Sequence, residues 1–285
     1  MLTGHALGLT TLDLALREND PVTDSEALKV AELLERRMSG ESVARVIGFR
    51  EFYGLPFILN EATLEPRPET ELLVDLALGA LPAGGRVLDL GTGTGCIPIS
   101  VLANQPDATA IAVDLSDRAI EAARANAESN GVGERLTLLH GSWFEPLASR
   151  DLMVSLSNHE VGYTNPATTS SFDKLRMRSD QASRFDLILS NPPYITSAVV
   201  ETLEPEVKDF DPRLALDGGP DGLAPYRVIA REAAEWLKPG GWVIVEIGYD
   251  QGADVSALFI EAGYGDVTVH KDLNQLDRVV CAHHI

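Results

Sequence analysis

Between residues 86 and 262, short apolar runs alternate with helix-forming segments, and this alternation limits the fold more than any other feature of the chain. Runs at 87–90, 110–113, 136–139, 185–190 and 242–247 have strand length. The stretches opening at Gly95 and covering 116–130, about 223–237 and about 251–262 have helical spacing. Strands joined through helices run parallel, because such a crossover returns the chain to the same end of the sheet. The expected fold is therefore α/β, a doubly wound, mostly parallel Rossmann-like sheet covered by helices. Two last runs, 266–270 and 278–282, are separated by a short loop with no helix, so they should pair antiparallel at one edge and complete seven strands.

The residues ahead of this block read differently. Up to about residue 40, Leu12, Leu14, Ala15, Ala27, Val30, Leu33 and Leu34 fall at spacings that make apolar helix faces, with Asp24 as an N-cap and Gly40 as a stop. Runs at 46–52 and 55–59, separated by Tyr53 and Gly54, predict a β-hairpin leading into Pro66-Arg67-Pro68-Glu69-Thr70. A chain of 285 residues exceeds a usual single domain. The expected division is a small helical domain at 1–42, a hairpin linker at 43–68 and a large domain at 69–285. Within the last, 149–184 is rich in Ser, Thr and Asn, lacks periodicity and predicts a disordered insertion.

The 43 acidic residues exceed the 23 lysines and arginines, giving a net charge of −20, which opposes a phosphate backbone and favours a basic or neutral partner. Acidity serving solubility alone is an equal reading. Apolar stretches are too short to cross a bilayer, no secretory leader is expected, and only two cysteines, Cys96 and Cys281, occur. A reducing compartment, the cytoplasm, and no membrane association follow as expectations. No spacing of Cys, His, Asp or Glu matches a metal site, His5, His159 and Glu160 included, so no metal is expected.

The first strand of the alternating block ends in Asp89-Leu90-Gly91-Thr92-Gly93-Thr94-Gly95. Glycines there permit a sharp turn and let a ligand lie against main-chain N–H groups at a helix N-terminus. Several nucleotide-binding folds share such a loop, so it is weak evidence alone. Asp114, 19 residues beyond Gly95 at the end of the second strand, strengthens it, because a carboxylate placed there can accept both hydroxyls of a ribose. The glycine spacing is tighter than in dinucleotide sites and no P-loop lysine is present. Trp143, after the third strand, could stack on an adenine; a core tryptophan is an equal reading.

Asn191-Pro192-Pro193-Tyr194 follows directly on the run 185–190, at the sheet edge where open α/β folds bind ligands. An amide or aromatic amine is a poor nucleophile because its lone pair is delocalised. Acceptors that bind both of its N–H groups can orient it and offset the positive charge that develops on alkylation. The Asn191 side-chain oxygen and the Pro192 carbonyl supply such acceptors, Pro192 and Pro193 stiffen them, and Tyr194 offers a flat face. A rigid turn after a buried strand is the alternative for these four residues in isolation.

Together these motifs resemble S-adenosylmethionine-dependent methyltransferases that act on planar nitrogens. Nearly the whole chain is similar to the release-factor glutamine methyltransferases, the HemK/PrmC family. The likeness lies in Gly40-Glu41-Ser42-Val43-Ala44, Gly48-Phe49-Arg50-Glu51-Phe52-Tyr53, Pro66 to Glu71, the glycine loop, Ser190 to Ile195, and Pro212-Arg213-Leu214-Ala215-Leu216-Asp217-Gly218-Gly219. The resemblance implies a class I methyltransferase sheet and S-adenosylmethionine as cofactor, held by Gly91, Thr92, Gly93, Thr94, Gly95, Asp114, Trp143 and Asn191. It implies substrate glutamine at Asn191, Pro192, Pro193 and Tyr194, with Asn191, Pro192 and Tyr194 catalytic. It also implies class I peptide chain release factors, through their Gly-Gly-Gln loop, as protein substrates, and no nucleic-acid partner. Arg67 and Glu69 match a family segment near the active site, and an interdomain salt bridge explains them equally well. Helices usually precede the segment matching His5-Ala6-Leu7-Gly8 in the family, so a late start is expected, as is the departure at 149–184. Rival readings are an adenine-N6 methyltransferase using the same four residues on a flipped base, a ribosomal-protein glutamine methyltransferase, and a silent cofactor-binding scaffold.

Overall fold

The computed structural model describes residues 1–148 and 184–285. The expectation of a disordered insertion at 149–184 therefore falls, apart from Arg184, outside the described residues. The chain opens with helices α1 (Leu2–Leu7), α2 (Thr11–Leu16) and α3 (Asp24–Met38). Thr23, not Asp24, caps α3: its side chain accepts from the Glu26 N–H while the Glu26 carboxylate accepts from the Thr23 N–H, a reciprocal capping box. The apolar faces expected here are only partly covered: neither α2 nor α3 buries a residue, Leu14, Val30 and Leu33 are half-buried, and Leu12 and Leu34 are exposed.

A short helix α4 (Val43–Ile47) then takes Val46 and Ile47 out of the predicted strand. Ser42 caps it through the Arg45 N–H and Gly48, at φ 82°, ends it, so capping at both ends overrides two β-branched residues. The hairpin itself is β1 (Phe49–Phe52) and β2 (Leu55–Ile58), turning through Tyr53 and Gly54, both at positive φ as a tight two-residue hairpin requires. Asn126, fully buried, docks it. Its Oδ1 accepts from the Ile58 N–H at 2.7 Å, and its Nδ2 donates to the carbonyls of Ile58 (3.1 Å) and Thr94 (2.9 Å). A buried amide left unpaired would cost about 1–3 kcal/mol, so this one residue ties the hairpin to the glycine loop in a single register.

After a 3₁₀ turn at Pro68–Thr70 come α5 (Glu71–Ala80), β3 (Arg86–Leu90), α6 (Cys96–Asn104), β4 (Thr109–Asp114), α7 (Asp117–Ser129), β5 (Leu136–His140) and β6 (Phe185–Ser190). Two short helices that periodicity did not reveal, α8 (Ser197–Val200) and α9 (Pro205–Lys208), precede α10 (Ala224–Trp236), β7 (Leu237–Glu246), α11 (Gly252–Glu261), β8 (Gly265–Lys271) and β9 (Asp277–His283). The seven strands lie in the order β5-β4-β3-β6-β7-β9-β8; the first five run parallel, and β9 pairs antiparallel with both β7 and β8. The expected antiparallel pair is present, with the later strand inserted inside the earlier one. Strand residues alternate between two cores: Val87, Leu187, Leu189 and Ile244 pack with α5 and α6, while Leu88, Leu90, Ile188 and Val243 pack with Tyr226, Ile229, Val255 and Phe259 of α10 and α11. The strand order reverses between β3 and β6, so the residues that leave these two strands diverge around one crevice.

Candidate active site

The crevice opens into a cavity of about 580 Å³, lined by Gly91 to Thr94 from the β3 loop, Asp114 from β4, Trp143 from beyond β5, and Asn191 and Pro193 from beyond β6. Four segments spread over a hundred residues meet there because Leu90 pairs with both Val113 and Ser190. The Ser190 hydroxyl reinforces the join by donating to the Leu90 carbonyl at 2.7 Å, out of contact with water. Not every expected residue faces the cavity. Gly95 lies behind it as the N-cap of α6, where an added Cβ would stand 2.8 Å from Ile99 Cδ1 and 3.2 Å from Ala123 Cβ, so its role is close packing of α6 against α7. Pro192 is buried, and Tyr194 packs against the core cluster of α10 and α11 and does not form part of the wall.

Asp114 organises the loop. Its Oδ2 accepts from the Gly93 N–H at 2.8 Å and its Oδ1 from the Ser116 N–H at 2.9 Å. Burial raises its pKa, against these backbone donors. A carboxylate offers roughly four lone-pair sites, so acceptor capacity remains for a ligand's hydroxyl groups. Asp89, wholly buried beneath the loop, is pushed up to about 7 by burial, with the Thr92 hydroxyl opposing and Asp114 adding to the rise. Apolar side chains of Ile97, Val113, Leu115 and Trp143 complete the wall beside Asp114. An acceptor for a diol, a glycine turn with open main chain and an apolar, aromatic wall fit an adenosyl group, so the donor set matches S-adenosylmethionine.

The segment after β6 is held from behind. Gly218 N–H donates to the Ile195 carbonyl at 2.8 Å, Ile195 N–H to the Leu216 carbonyl at 3.0 Å, and Gln251 Nε2 to the Tyr194 carbonyl at 3.1 Å. Burial, then the nearby Glu246 charge, drives the Tyr194 phenol up to about 12. Asn191 Nδ2 donates to Thr70 Oγ1 at 3.2 Å, which brings the Pro66 to Thr70 segment to the same place. Arg67 both lines the cavity and pairs with Asp211 at 3.0 Å, so the site reading and the salt-bridge reading of this residue meet in one position. Asp211 also pairs with buried Arg45 of α4 at 2.6 Å.

Two residues of this neighbourhood were missed in the sequence. Gln251 holds the Tyr194 carbonyl but carries no local signal. Glu246 had one: a lone carboxylate closing the apolar run 242–247 marks the same strand edge that drew attention to Asn191.

Comparison with known proteins places this chain in a family. Residues 1–48 match the model described as the PrmC N-terminal domain and residues 68–159 that of the methyltransferase small domain. The chain is 40% identical over 286 residues to the release factor glutamine methyltransferase of Agrobacterium fabrum, covering 98% of this chain and 87% of that one. It is 41% identical over 280 residues to the protein of the same name from Caulobacter vibrioides, covering 96% and 84%. A solved methyltransferase structure from Pyrococcus furiosus aligns over 89% of this chain and 98% of its own with a TM-score of 0.51, at 16% identity a likeness of fold alone. Identity and coverage of this extent mean that the chain belongs to the release factor glutamine methyltransferase family.

Proposed function

We propose that this enzyme methylates the side-chain amide nitrogen of the glutamine in the Gly-Gly-Gln loop of class I release factors, with S-adenosylmethionine as methyl donor. The observation that carries the reading is that Asn191 and the Gly91 to Thr94 loop line one cavity across the Leu90–Ser190 pairing. S-adenosylmethionine supplies an electrophilic methyl group on a sulfonium. Gly91, Thr92, Gly93, Thr94, Asp114, Trp143 and Asn191 would hold it, with Gly95 supporting the loop from behind. The chain's part in the reaction is to orient a weak nucleophile. Asn191 Oδ1, at the cavity wall, and the Pro192 carbonyl would accept the two N–H groups of the glutamine amide, which would orient the nitrogen and offset the charge that develops on it. Pro193 stiffens these acceptors, and Tyr194 anchors them from behind by packing against the core. The methyl would pass to the nitrogen without an enzyme-bound intermediate, leaving S-adenosylhomocysteine, and the nitrogen would shed a proton.

The division into 1–42, 43–68 and 69–285 belongs to the same proposal, supported by the way Asn126 and the Arg45–Asp211 pair hold the hairpin and α4 against the large domain. So does action in the cytoplasm on a protein, with neither nucleic acid nor membrane as partner. Both cysteines are free, no helix among the described residues is long and apolar enough to cross a membrane, and the charge of −20 opposes nucleic acid. The test is to incubate the enzyme with labelled S-adenosylmethionine and, separately, release factor, ribosomal protein and DNA. Label should enter release factor alone and vanish with Asn191→Ala at undiminished fold. Label in DNA would favour the adenine reading, and an Asn191→Ala enzyme as fast as wild type would remove Asn191 from the chemistry.

A further inference from the structure

Glu246 ends β7 as a residue 2% exposed, and it stands beside Asn191 because Ser190 and Val245, the residues before them, pair in parallel register. The Thr70 hydroxyl and the Asn191 amide both favour its charged form, and Oε2 is buried with no hydrogen-bond partner among the described residues. Arg278 attracts it, yet that guanidinium directs its own hydrogen bonds to Asp272 (3.2 Å) and the Ile247 carbonyl (3.4 Å). A bare carboxylate in a dry site is costly to keep unless its position serves a purpose, and its neighbours here are the residue assigned to the substrate amide and that residue's hydrogen-bond partner.

The geometry has a directional consequence. An ionised carboxylate only accepts, so an asparagine beside it must turn its NH₂ toward it. Asn191 Nδ2 is on that side, donating to Thr70 Oγ1. With the amide reversed, Oδ1 would face the carboxylate and an N–H would face the substrate nitrogen, which also carries N–H groups.

We propose that Glu246 is a positioning residue which, with Thr70, holds the Asn191 amide with Oδ1 turned to the substrate and strengthens that oxygen as an acceptor. This rests on the assignment of Asn191 to the substrate amide. Burial pushes the Glu246 carboxyl up to about 7; the Thr70 hydroxyl, Arg278 and the Asn191 amide oppose the rise and Glu69 adds to it, while Tyr194, Tyr226 and Cys96 sense its charge. The effective form is the carboxylate, so transfer falls as pH drops through about 7.

The test uses full-length enzyme and release factor. Glu246→Gln should lower kcat about 10- to 100-fold, the range for removing a group that holds a functional ligand in place. The fall in kcat below neutral pH should flatten, and affinity for S-adenosylhomocysteine should stay near wild type. Thr70→Ser should recover most of what Thr70→Val loses. A readout free of the chemical step is the ratio of affinities for native release factor and its glutamine-to-alanine variant, measured with S-adenosylhomocysteine bound. Wild type should favour the glutamine form, and Glu246→Gln should shrink that preference. A Glu246→Gln enzyme with wild-type kcat, pH profile and preference overturns the proposal while Asn191→Ala remains dead. An Asn191→Ala enzyme with normal transfer overturns both readings. Should Glu246→Gln fail to fold, the Thr70 pair decides alone, and equal loss in Thr70→Ser and Thr70→Val would count against the proposal.

Discussion

Replacing Asp114 by asparagine should damage this site far more than its isosteric shape suggests. In the native loop each carboxylate oxygen accepts a separate backbone N–H, Gly93 at 2.8 Å and Ser116 at 2.9 Å. Asparagine has one acceptor oxygen. Whichever way it turns, its NH₂ confronts one of these donors, so one charge-assisted hydrogen bond worth about 1.5–3 kcal/mol is lost. Ser116 N–H lies at the start of α7, whereas Gly93 lies in the cavity wall, so the two orientations divide the loss differently between folding and binding. Release of Gly93 also displaces main chain against which the cofactor lies. Affinity for S-adenosylmethionine in Asp114→Asn should fall roughly 10- to 100-fold, matching about 1.4 to 2.8 kcal/mol. Melting should drop by a few degrees, at about 2–4 °C per kcal/mol for a domain of this size. Asp114→Ala should lose about 1 to 3 kcal/mol of cofactor affinity as well, by removing every acceptor at once. Titration calorimetry with S-adenosylmethionine, alongside thermal unfolding, measures both parts. A folded Asp114→Asn that binds and melts like wild type would refute the argument that both oxygens are needed.

Three further outcomes follow from the packing. The Asp89 carboxyl rises from an ordinary 3.8 to about 7, so the folded state holds a proton that the unfolded chain releases, and stability should decline as pH climbs through that window. Chemical denaturation at pH 5 and pH 8 should show Asp89→Asn gaining on wild type at the higher pH by roughly 2–3 kcal/mol, the part of the shift that lies between pH 5 and about 7. Gly218→Ala would place a Cβ 2.7 Å from the Pro193 carbonyl oxygen and 2.9 Å from Tyr194 Cα, so it should displace the acceptors after β6. The variant should lose about 1–3 kcal/mol of stability and most of kcat while cofactor titration changes little. Among the described residues, Arg45→Met leaves buried Asp211 with only the half-exposed Arg67, and urea unfolding should register about 3 kcal/mol of lost stability, less in the Arg45→Met/Asp211→Asn double variant.

What could be read from the sequence was local. Alternating strand and helix lengths, an antiparallel final pair, a two-residue turn at Tyr53-Gly54 and a glycine loop at a helix start each follow from backbone preferences over a few residues. Even the nesting of β9 inside β8 had a trace, since Val279 to Ala282 is continuously apolar, as an inner strand is, while 266–270 alternates as an edge strand does. Local rules also misled where two of them competed. Thr23 and Asp24 are both good caps, and Val46 and Ile47 favour strands until Ser42 and Gly48 close a helix around them. The cofactor loop and the Asn191 segment were each legible, but their meeting depended on strand order, which periodicity does not encode. Only the folded sheet set β6 beside β3 and β7 beside β6. That order put Thr70 against Asn191 and Glu246 against both, and joined Arg45 to Asp211 across 166 residues of chain. Such contacts arise from burying two apolar faces at once, a condition on the whole sheet that no single segment states.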